Sequence, residues 1–391
     1  MAVAMRIPTT AHNIMNTTET TAPLVGAVNN IRSKFETWLT QALAREATDL
    51  HLRANSVPAQ RIFTQLSPIA GAAKLNANEV DECFDFCMEM CANDTIAIKK
   101  HLAEHGWADF NFRLKTSTGD CIARGNVYRQ SGAPALALRF FHKRHVDLKF
   151  QGMEHLAQFL AWDTGLIILT GSTGSGKTTV ADALIEHINA TEALHIATIE
   201  DPIEYPLVEK RSVITQRTIP GDVLSFEDGI KSLLRQDPDV IFIGEVRDRE
   251  VMRQLLNASE TGHLVITTMH AGSVAEAFSR IVGMFPSEEQ ERIRTTLAGM
   301  PMAVVNQALI PPSRGKPPVV VHELFVTKGV EAAYSTLRDG LWVQLQNLQM
   351  VDARMRHWDR ELAKLVRIGK LPRDVALTHA RDAVTFTKFL N

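Results

Sequence analysis

Residues 165–185 form the stretch GLIILTGSTGSGKTTVADALI. Its first part is an apolar run of strand length, its centre is rich in glycine, and its end has the composition of a helix. The centre matches the phosphate-loop pattern G-x-x-x-x-G-K-[ST] at every position. A strand, a glycine-rich turn and a helix in this order form the setting in which the pattern binds phosphate. The stretch therefore predicts a nucleotide-binding α/β domain.

Phosphate chemistry explains the spacing of the loop. Glycines let the backbone approach the phosphates closely, and successive amides with the helix N-terminus offer positive partial charge. We expect the Lys177 ammonium to reach the β- and γ-phosphates and the Thr178 hydroxyl to bind Mg²⁺, so ATP and Mg²⁺ are the predicted cofactors. The predicted nucleotide-binding residues of the loop are Gly171, Ser172, Thr173, Gly174, Ser175, Gly176, Lys177, Thr178 and Thr179.

Strands and helices alternate after the loop. Strand-sized apolar runs recur at 195–199, 240–243 and 264–268, with helical patterns between them. This alternation predicts βαβ units and a mainly parallel sheet. Beyond residue 286 the pattern is mostly helical, apart from a proline-rich loop and a strand at 319–326.

The chain divides into segments of different pattern. Before the phosphate loop, a helix, short strands and a hairpin near Gly119-Asp120 predict a small α+β domain. The predicted segments are a flexible tail over 1–30, an N-terminal domain over 31–145, a linker over 146–155, an ATPase core over 156–309 and a C-terminal strand with a helical extension over 310–391.

Length, composition and charge narrow the function classes. The 391 residues predict two or three domains, and the 42 Lys plus Arg against 44 Asp plus Glu give a net charge of −2. This balance argues against a strongly basic nucleic-acid binder, so we expect no direct contact with nucleic acid. Four cysteines cannot build a disulfide scaffold and indicate a reducing compartment. The sequence has no apolar run long enough to span a membrane, so a cytoplasmic protein is expected.

Two acidic segments follow predicted strands. Glu245 comes after the strand at 240–243, and Glu204 ends the segment 200–204, which follows the strand at 195–199. Ligands of open α/β sheets bind outside the carboxyl ends of the strands. We therefore expect Glu245 to hold Mg²⁺ beside Thr178, with Glu204 over the same edge. From the residues alone, a solvated acidic loop at 200–204 is an equal alternative.

Four segments, in this order and spacing, together resemble one family, the type II and type IV secretion ATPases. The matching segments are the phosphate loop at 171–178, TIEDPIE at 198–204 like the family's Asp box, the Walker B-like segment at 237–248 and the His box-like segment at 261–271. Residues 47–52 and 124–130 also resemble parts of the N-terminal domain of the family. The resemblance as a whole covers about residues 47–309. The resemblance implies a RecA-like ATPase domain preceded by a PAS-like N-terminal domain, assembled as a homohexameric ring.

The resemblance also implies roles for single residues. It implies that Glu204 is the general base or the residue that orients the attacking water, and that Glu245 is the acidic residue that binds Mg²⁺. It also implies that His263 lies near the γ-phosphate. His270, at the end of the next strand, is a candidate phosphate sensor or interface residue. The residues expected to neutralise phosphate charge across a domain or subunit interface are Arg124, Arg129 and Arg139.

One departure from the family concerns the C-terminal segment AIRNLIR of pilus retraction motors. The chain reads KGVEAAYSTLR at 328–338, with no convincing match. The predicted function is therefore an ATPase of a conjugative, type IVB-like secretion system of the DotB/TraJ type, docked peripherally at the inner membrane through apparatus proteins. The first alternative is a type IV pilus retraction or assembly motor.

Two further alternatives belong to other classes. A RecA-like nucleic-acid translocase needs basic loops with stacking aromatic residues, and the net charge of −2 with 6% aromatic residues argues against one. The other alternative is a scaffold that binds ATP without turnover. The presence of both Glu204 and Glu245 argues against it.

Overall fold

The computed structural model describes residues 31–62, 65–91, 95–116, 119–141, 147–149, 152–219 and 221–390. The tail predicted over 1–30 lies outside these residues, and the linker predicted over 146–155 is described only in part. The chain forms two compact units, 1–144 and 145–391.

The described residues of the N-terminal unit form a six-stranded antiparallel sheet and three helices. The strands run in the order β3-β2-β1-β6-β5-β4. Its helices are α1 (Ile31–Ala44), α2 (Ala77–Glu89) and α3 (Thr95–His105). Its strands are β1 (Ala47–Arg53), β2 (Ala59–Ile62), β3 (Gln65–Pro68), β4 (Trp107–Thr116), β5 (Gly119–Gln130) and β6 (Ala133–Phe141). The predicted hairpin is confirmed as β4–β5, which pair from Trp107 with Tyr128 to Thr116 with Gly119.

Local sequence signals explain the helices of this unit. The buried residues of α1 are spaced so that they share one face, which packs on the sheet. Helix α2 begins after Asn76, whose side chain accepts a hydrogen bond from the Glu79 amide at 3.0 Å. The Glu79 carboxylate accepts one from the Asn76 amide at 2.8 Å, which completes a capping box.

The C-terminal unit contains a seven-stranded sheet in the order β13-β12-β7-β11-β10-β8-β9. Its strands are β7 (Gly165–Thr170), β8 (His195–Glu200), β9 (Val213–Thr218), β10 (Val240–Ile243), β11 (Leu264–Met269), β12 (Met302–Ile310) and β13 (Val319–Val326). Strand β13 is antiparallel to β12, and every other pair in this sheet is parallel. The predicted α/β class with a mainly parallel sheet is confirmed.

The helices of this unit pack on the sheet and on one another. They are α4 (Lys177–Thr191), α5 (Phe226–Leu233), α6 (Arg249–Glu260), α7 (Val274–Gly283), α8 (Ser287–Gly299), α9 (Glu331–Arg338), α10 (Leu345–Val351), α11 (Trp358–Arg367), α12 (Arg373–His379) and α13 (Ala383–Leu390), with 3₁₀ helices over Glu154–Ala161 and Trp342–Gln344. Every residue of β7, β10 and β11 is buried, as expected for strands covered on both faces.

Strand β12 corrects the expectation of a mostly helical chain beyond residue 286. Met302–Ile310 forms a strand between β7 and β13, and its first six residues are all buried. A strand buried on both faces lacks the alternation that marks a half-exposed strand, so its pattern does not distinguish it from a buried helix.

A second, smaller core lies under the C-terminal helices of this unit. Trp358, Leu362 and Phe386 pack there with Ile310 and Val321 of the last two strands. Among the helices within the described residues, none is both long enough and apolar enough to cross a membrane.

Candidate nucleotide site

The parallel strands bring the predicted site segments to one edge of the sheet. Thr170 at the end of β7 pairs with Met269 at the end of β11. Ile243 at the end of β10 pairs with Ile199 near the end of β8. The phosphate loop and the segments that contain Glu204, Glu245 and His270 all follow these strand ends. The edge where ligands bind in open α/β sheets is therefore the edge that carries these residues.

Two glycines make the turn of the phosphate loop possible. Gly171 has φ +147°, and a Cβ there would lie 2.4 Å from the Gln307 backbone oxygen and 2.5 Å from Ser175 Oγ. Gly176 has φ +87° directly before α4, a left-handed conformation that side chains disfavour. Residues 172–174 between them are exposed. The loop is thus anchored at both ends and open to solvent at its tip.

Gln307 supports the loop from the neighbouring strand β12. The buried side chain donates a hydrogen bond from Nε2 to the Ser175 carbonyl at 2.8 Å. This residue was not predicted, because β12 was not expected and the contact joins positions far apart in the chain.

Lys177 lies at the centre of the loop. Its Nζ donates to the carbonyl oxygens of Gly171 and Ser172, both at 2.9 Å. Burial lowers the pKa of Lys177, and the negative charges of Glu245 and Glu204 oppose that shift. Glu204 and Glu245 follow strands that end beside the phosphate loop, so both residues lie at the same edge of the sheet as Lys177.

Glu245 is held by an arginine that the sequence analysis did not single out. Its Oε1 lies 2.9 Å from Arg247 Nε, and its Oε2 accepts a hydrogen bond from Arg247 Nη2 at 3.0 Å. Burial acts to raise the pKa of Glu245, but the Arg247 hydrogen bond and charge outweigh it and the pKa is lowered. The spacing of the two residues, two apart at a strand end, was a signal that could have identified the pair.

The residues at this edge suit Mg²⁺. A carboxylate with a lowered pKa is ionised at neutral pH, and Glu245 supplies one. Thr178 adds a hydroxyl oxygen in the first turn of α4, where its side chain is half-buried. Oxygen ligands of this kind, with water completing the coordination, are what Mg²⁺ prefers.

The segment that contains Glu204 is ordered by a buried carboxyl group. Glu200 Oε1 accepts hydrogen bonds from Thr198 Oγ1 at 2.7 Å and from Gln216 Nε2 at 3.1 Å. The backbone of Glu204 also donates to Glu200. Gln216 Nε2 donates in addition to the Tyr205 carbonyl at 3.1 Å. These hydrogen bonds connect the segment 200–204 to β8 and β9, and within the segment Glu200 is buried while Asp201 is exposed.

Burial changes the ionisation of the carboxyl groups behind Glu204. It raises the pKa of Glu200 to about 7, against the opposing effect of the Thr198 and Gln216 hydrogen bonds. It also raises the pKa of Asp182 on α4 well above its usual value, with further contributions from the charges of Glu200, Glu204 and Glu186.

The two histidines of the His box lie at opposite ends of the same strand, β11. His270 follows β11, and its Nε2 is 3.6 Å from Glu245 Oε1. His263 precedes β11, where its carbonyl accepts a hydrogen bond from Gly165 at the start of β7 and its Nδ1 is 3.1 Å from the Ala258 carbonyl. The expectation that His263 lies near the γ-phosphate is therefore wrong for the phosphate loop of the same chain, because the length of a strand separates them.

The predicted arginines belong to the N-terminal unit. Arg124 and Arg129 lie on β5 and Arg139 on β6, and all three side chains are exposed. Arg139 Nε donates to Asp49 Oδ1 at 2.9 Å, and Arg124 Nη2 is 3.5 Å from Asp109 Oδ2. Their role at a nucleotide stays a prediction.

Comparison with known proteins adds to this geometry. Residues 108–369 match the family "Type II/IV secretion system protein". The chain is 36% identical to a twitching motility protein of Neisseria gonorrhoeae, over 70% of this chain and 73% of that protein. It is 32% identical to the type IV pilus retraction ATPase PilT of Pseudomonas aeruginosa, over 87% of this chain and 96% of that protein.

Solved structures agree with the sequence matches. The crystal structure of the pilus retraction motor PilT with bound ADP superimposes with a TM-score of 0.77 and 31% identity, covering 90% of this chain and 98% of that one. The ATPase DotB of Legionella pneumophila has the same TM-score of 0.77 at 20% identity, covering 91% of this chain and 97% of that one, which is a likeness of fold. The chain therefore belongs to the type II/IV secretion system protein family, as an ATPase with a RecA-like domain preceded by a small N-terminal domain.

Proposed function

We propose that the chain hydrolyses ATP at the cluster of Lys177, Glu204 and Glu245 and converts the reaction into movement of a type IV pilus-like apparatus. The observation that carries the proposal is the convergence of these three groups at the loop edge of the sheet. Each group has a chemical task in phosphoryl transfer, so the cluster supports turnover and argues against a scaffold that only binds ATP.

The tasks follow from position. Lys177 and the amides of the loop bind the phosphates, and Glu204 orients the attacking water and accepts its proton. Thr178 and Glu245 would hold Mg²⁺, which neutralises phosphate charge when bound. His270 lies beside Glu245 and is placed to respond to the γ-phosphate. Arg247 keeps the Glu245 carboxylate ionised and oriented.

A homohexameric ring would complete the site. The family resemblance supports this assembly, with Arg124, Arg129 and Arg139 neutralising phosphate charge across an interface. All three guanidinium groups are exposed, although Arg139 is paired with Asp49 and Arg124 with Asp109. An arginine supplied in this way is worth on the order of 10³–10⁵ in rate, which would make hydrolysis depend on ring geometry.

The relatives favour a pilus motor over the conjugative ATPase that the sequence analysis placed first. The P. aeruginosa relative PilT is a pilus retraction ATPase and is matched over 96% of its length. The DotB structure shares the fold at only 20% identity. We therefore propose pilus retraction as the leading function, with the chain in the cytoplasm and attached peripherally to inner-membrane apparatus proteins. No direct contact with nucleic acid is part of this proposal.

A second candidate, an ATPase of a type IVB-like secretion or conjugation system, rests on one observation. The segment 328–338 lacks the AIRNLIR sequence of retraction motors, and it forms the loop before α9 and α9 itself. In α9, Ala333 and Leu337 are buried, while Tyr334 is 42% exposed.

Deleting the gene in the organism that encodes the chain distinguishes the two candidates. Loss of a retraction motor is expected to leave cells with more surface pili and no pilus-driven movement, as judged by electron microscopy and motility assays. A gene with Lys177→Ala should fail to restore the deletion strain, and the wild-type gene should restore it. Normal piliation together with lost substrate transfer would overturn the pilus proposal and support the second candidate.

A further inference from the structure

Arg381 lies in the turn between α12 and α13, and the structure fixes its position from two sides. Its amide donates to Asp359 Oδ1 at 2.9 Å, and the amide of Asp382 donates to Asp359 Oδ2 at 3.2 Å. The guanidinium carbon lies 4.5 Å from the ring centroid of Trp358. The side chain therefore leaves the turn in a defined direction, towards the sheet.

The guanidinium group of Arg381 binds three different acceptors. Nη1 lies 2.6 Å from Glu323 Oε1, in an ion pair where Glu323 is 1% exposed. Nη2 donates to the Gly272 carbonyl and to Asn306 Oδ1, both at 2.9 Å. Glu323 Oε1 also accepts the Val274 amide at 2.8 Å, at the first residue of α7. The planar fork of arginine, with its several donors, is suited to such a set of acceptors.

Asn306 carries the connection on to the phosphate loop. Its Nδ2 donates to Thr170 Oγ1 at 3.0 Å and to the Ala271 carbonyl at 2.8 Å. Thr170 directly precedes Gly171, the first residue of the phosphate loop. Ala271 and Gly272 directly follow His270. Residues 270–272 are called the His270 segment below. The Arg381 guanidinium group thus contacts this segment directly, and it is connected to the residue before the phosphate loop through the side chain of Asn306.

We propose that Arg381 is a positioning residue for ATP hydrolysis, which holds the phosphate loop and the His270 segment at their working separation. The inference rests on the nucleotide site proposed above. Small displacements of reacting groups cost large factors in rate, since turnover requires the phosphates and the groups around them to be aligned. The turn between α12 and α13 then supports the nucleotide site from outside it, because the Arg381 side chain contacts Gly272 and Asn306.

Arg381→Lys separates positioning from charge balance. Lysine keeps a positive charge for Glu323 but has no fork to reach Gly272 and Asn306 together. We expect kcat to fall about tenfold or more, with ADP affinity within about threefold of wild type and a similar Tm.

The matched control is Arg354→Lys. Arg354 binds the Asp352 carboxylate and the Gly329 carbonyl in the same manner, at 2.6 Å each, and has no contact with either segment among the described residues. Its turnover should stay at the wild-type rate.

Asn306→Leu provides a second, independent variant. It removes the amide that joins Arg381 to Thr170 and leaves the Arg381–Glu323 pair in place. Because both substitutions break the link from Arg381 through Asn306 to Thr170, the double variant should lose less kcat than the product of the two single losses. Multiplying losses, wild-type turnover in Arg381→Lys, or loss of ADP affinity with unchanged kcat would each overturn the inference. Failure of the proposed site is distinguishable, since it would show as normal turnover in Lys177→Ala.

Discussion

Glu200 shows how one buried residue combines a structural with an electrostatic effect. Its carboxyl group orders the Glu204 segment through hydrogen bonds, yet burial raises its pKa to about 7 from 4.5. A carboxyl group with a raised pKa in the folded protein stabilises the fold while it is protonated. That contribution is fully present below about pH 4.5 and is lost as the pH rises through 7.

Glu200→Gln tests this effect. Glutamine keeps an acceptor oxygen for Thr198 and Gln216 but cannot ionise. At pH 8 the variant should be more stable than wild type by on the order of 1–3 kcal/mol, and at pH 5 the difference should shrink to less than about 1 kcal/mol. Urea unfolding at both values measures it. An equal difference in stability at pH 5 and pH 8 would show that Glu200 is not buried as an acid of raised pKa.

Gly171→Ala tests the close approach at the start of the phosphate loop. The new Cβ would lie 2.4 Å from the Gln307 carbonyl oxygen at φ +147°, so we expect a loss of about 2–4 kcal/mol in stability and loss of ADP binding. Gly283→Ala is the control, because nothing lies within 4 Å of a Cβ at that helical position. It should be neutral or stabilising by about 0.5–1 kcal/mol. Undiminished ADP binding by Gly171→Ala would contradict the loop geometry.

At the scale of elements, β12 connects more of the site than its sequence suggests. Asn306 and Gln307, adjacent on this strand, contact Thr170 and Ser175 at the two ends of the phosphate loop. The strand is therefore a support for the loop, as well as the link to β13.

Gln307→Leu removes the hydrogen bond to Ser175 while filling a similar volume. A hydrogen bond of about 1 kcal/mol corresponds to roughly a fivefold change, so we expect ADP affinity to fall three- to tenfold. Gln254→Leu is the control, since neither side-chain polar atom of this buried glutamine has a hydrogen-bond partner within the described structure. It should leave affinity unchanged and raise stability by about 1 kcal/mol. Equal ADP affinity in the two variants would remove Gln307 from the support of the loop.

The elements also show where sequence-based prediction succeeds and where it stops. The phosphate loop and Glu245 were predictable because each is a local pattern attached to an apolar strand. Strand β12 was missed because burial on both faces removes its alternation. Gln307 and Arg381 were missed because their contacts join distant positions. His263 was expected near the γ-phosphate although it precedes β11, since a motif match gives neighbours along the chain and not the edge of the sheet they occupy.

At the scale of the whole molecule, the two units carry different parts of the proposed machine. The unit 145–391 contains the phosphate loop and its acids, while the unit 1–144 carries the exposed arginines on β5 and β6. A site that needs groups from more than one unit or subunit hydrolyses ATP only when these come together, which couples the chemistry to motion. A motor of a pilus or secretion apparatus requires this coupling.

If Lys177 binds the nucleotide and Glu204 drives its hydrolysis, measuring both ATP binding and phosphate release by Glu204→Gln separates the two roles. We predict ATP affinity within about threefold of wild type and hydrolysis reduced by a factor of roughly 10²–10⁴, the usual contribution of a general base. Lys177→Ala, measured beside it, should lose binding itself. Hydrolysis by Glu204→Gln at the wild-type rate would show that Glu204 does not drive the reaction.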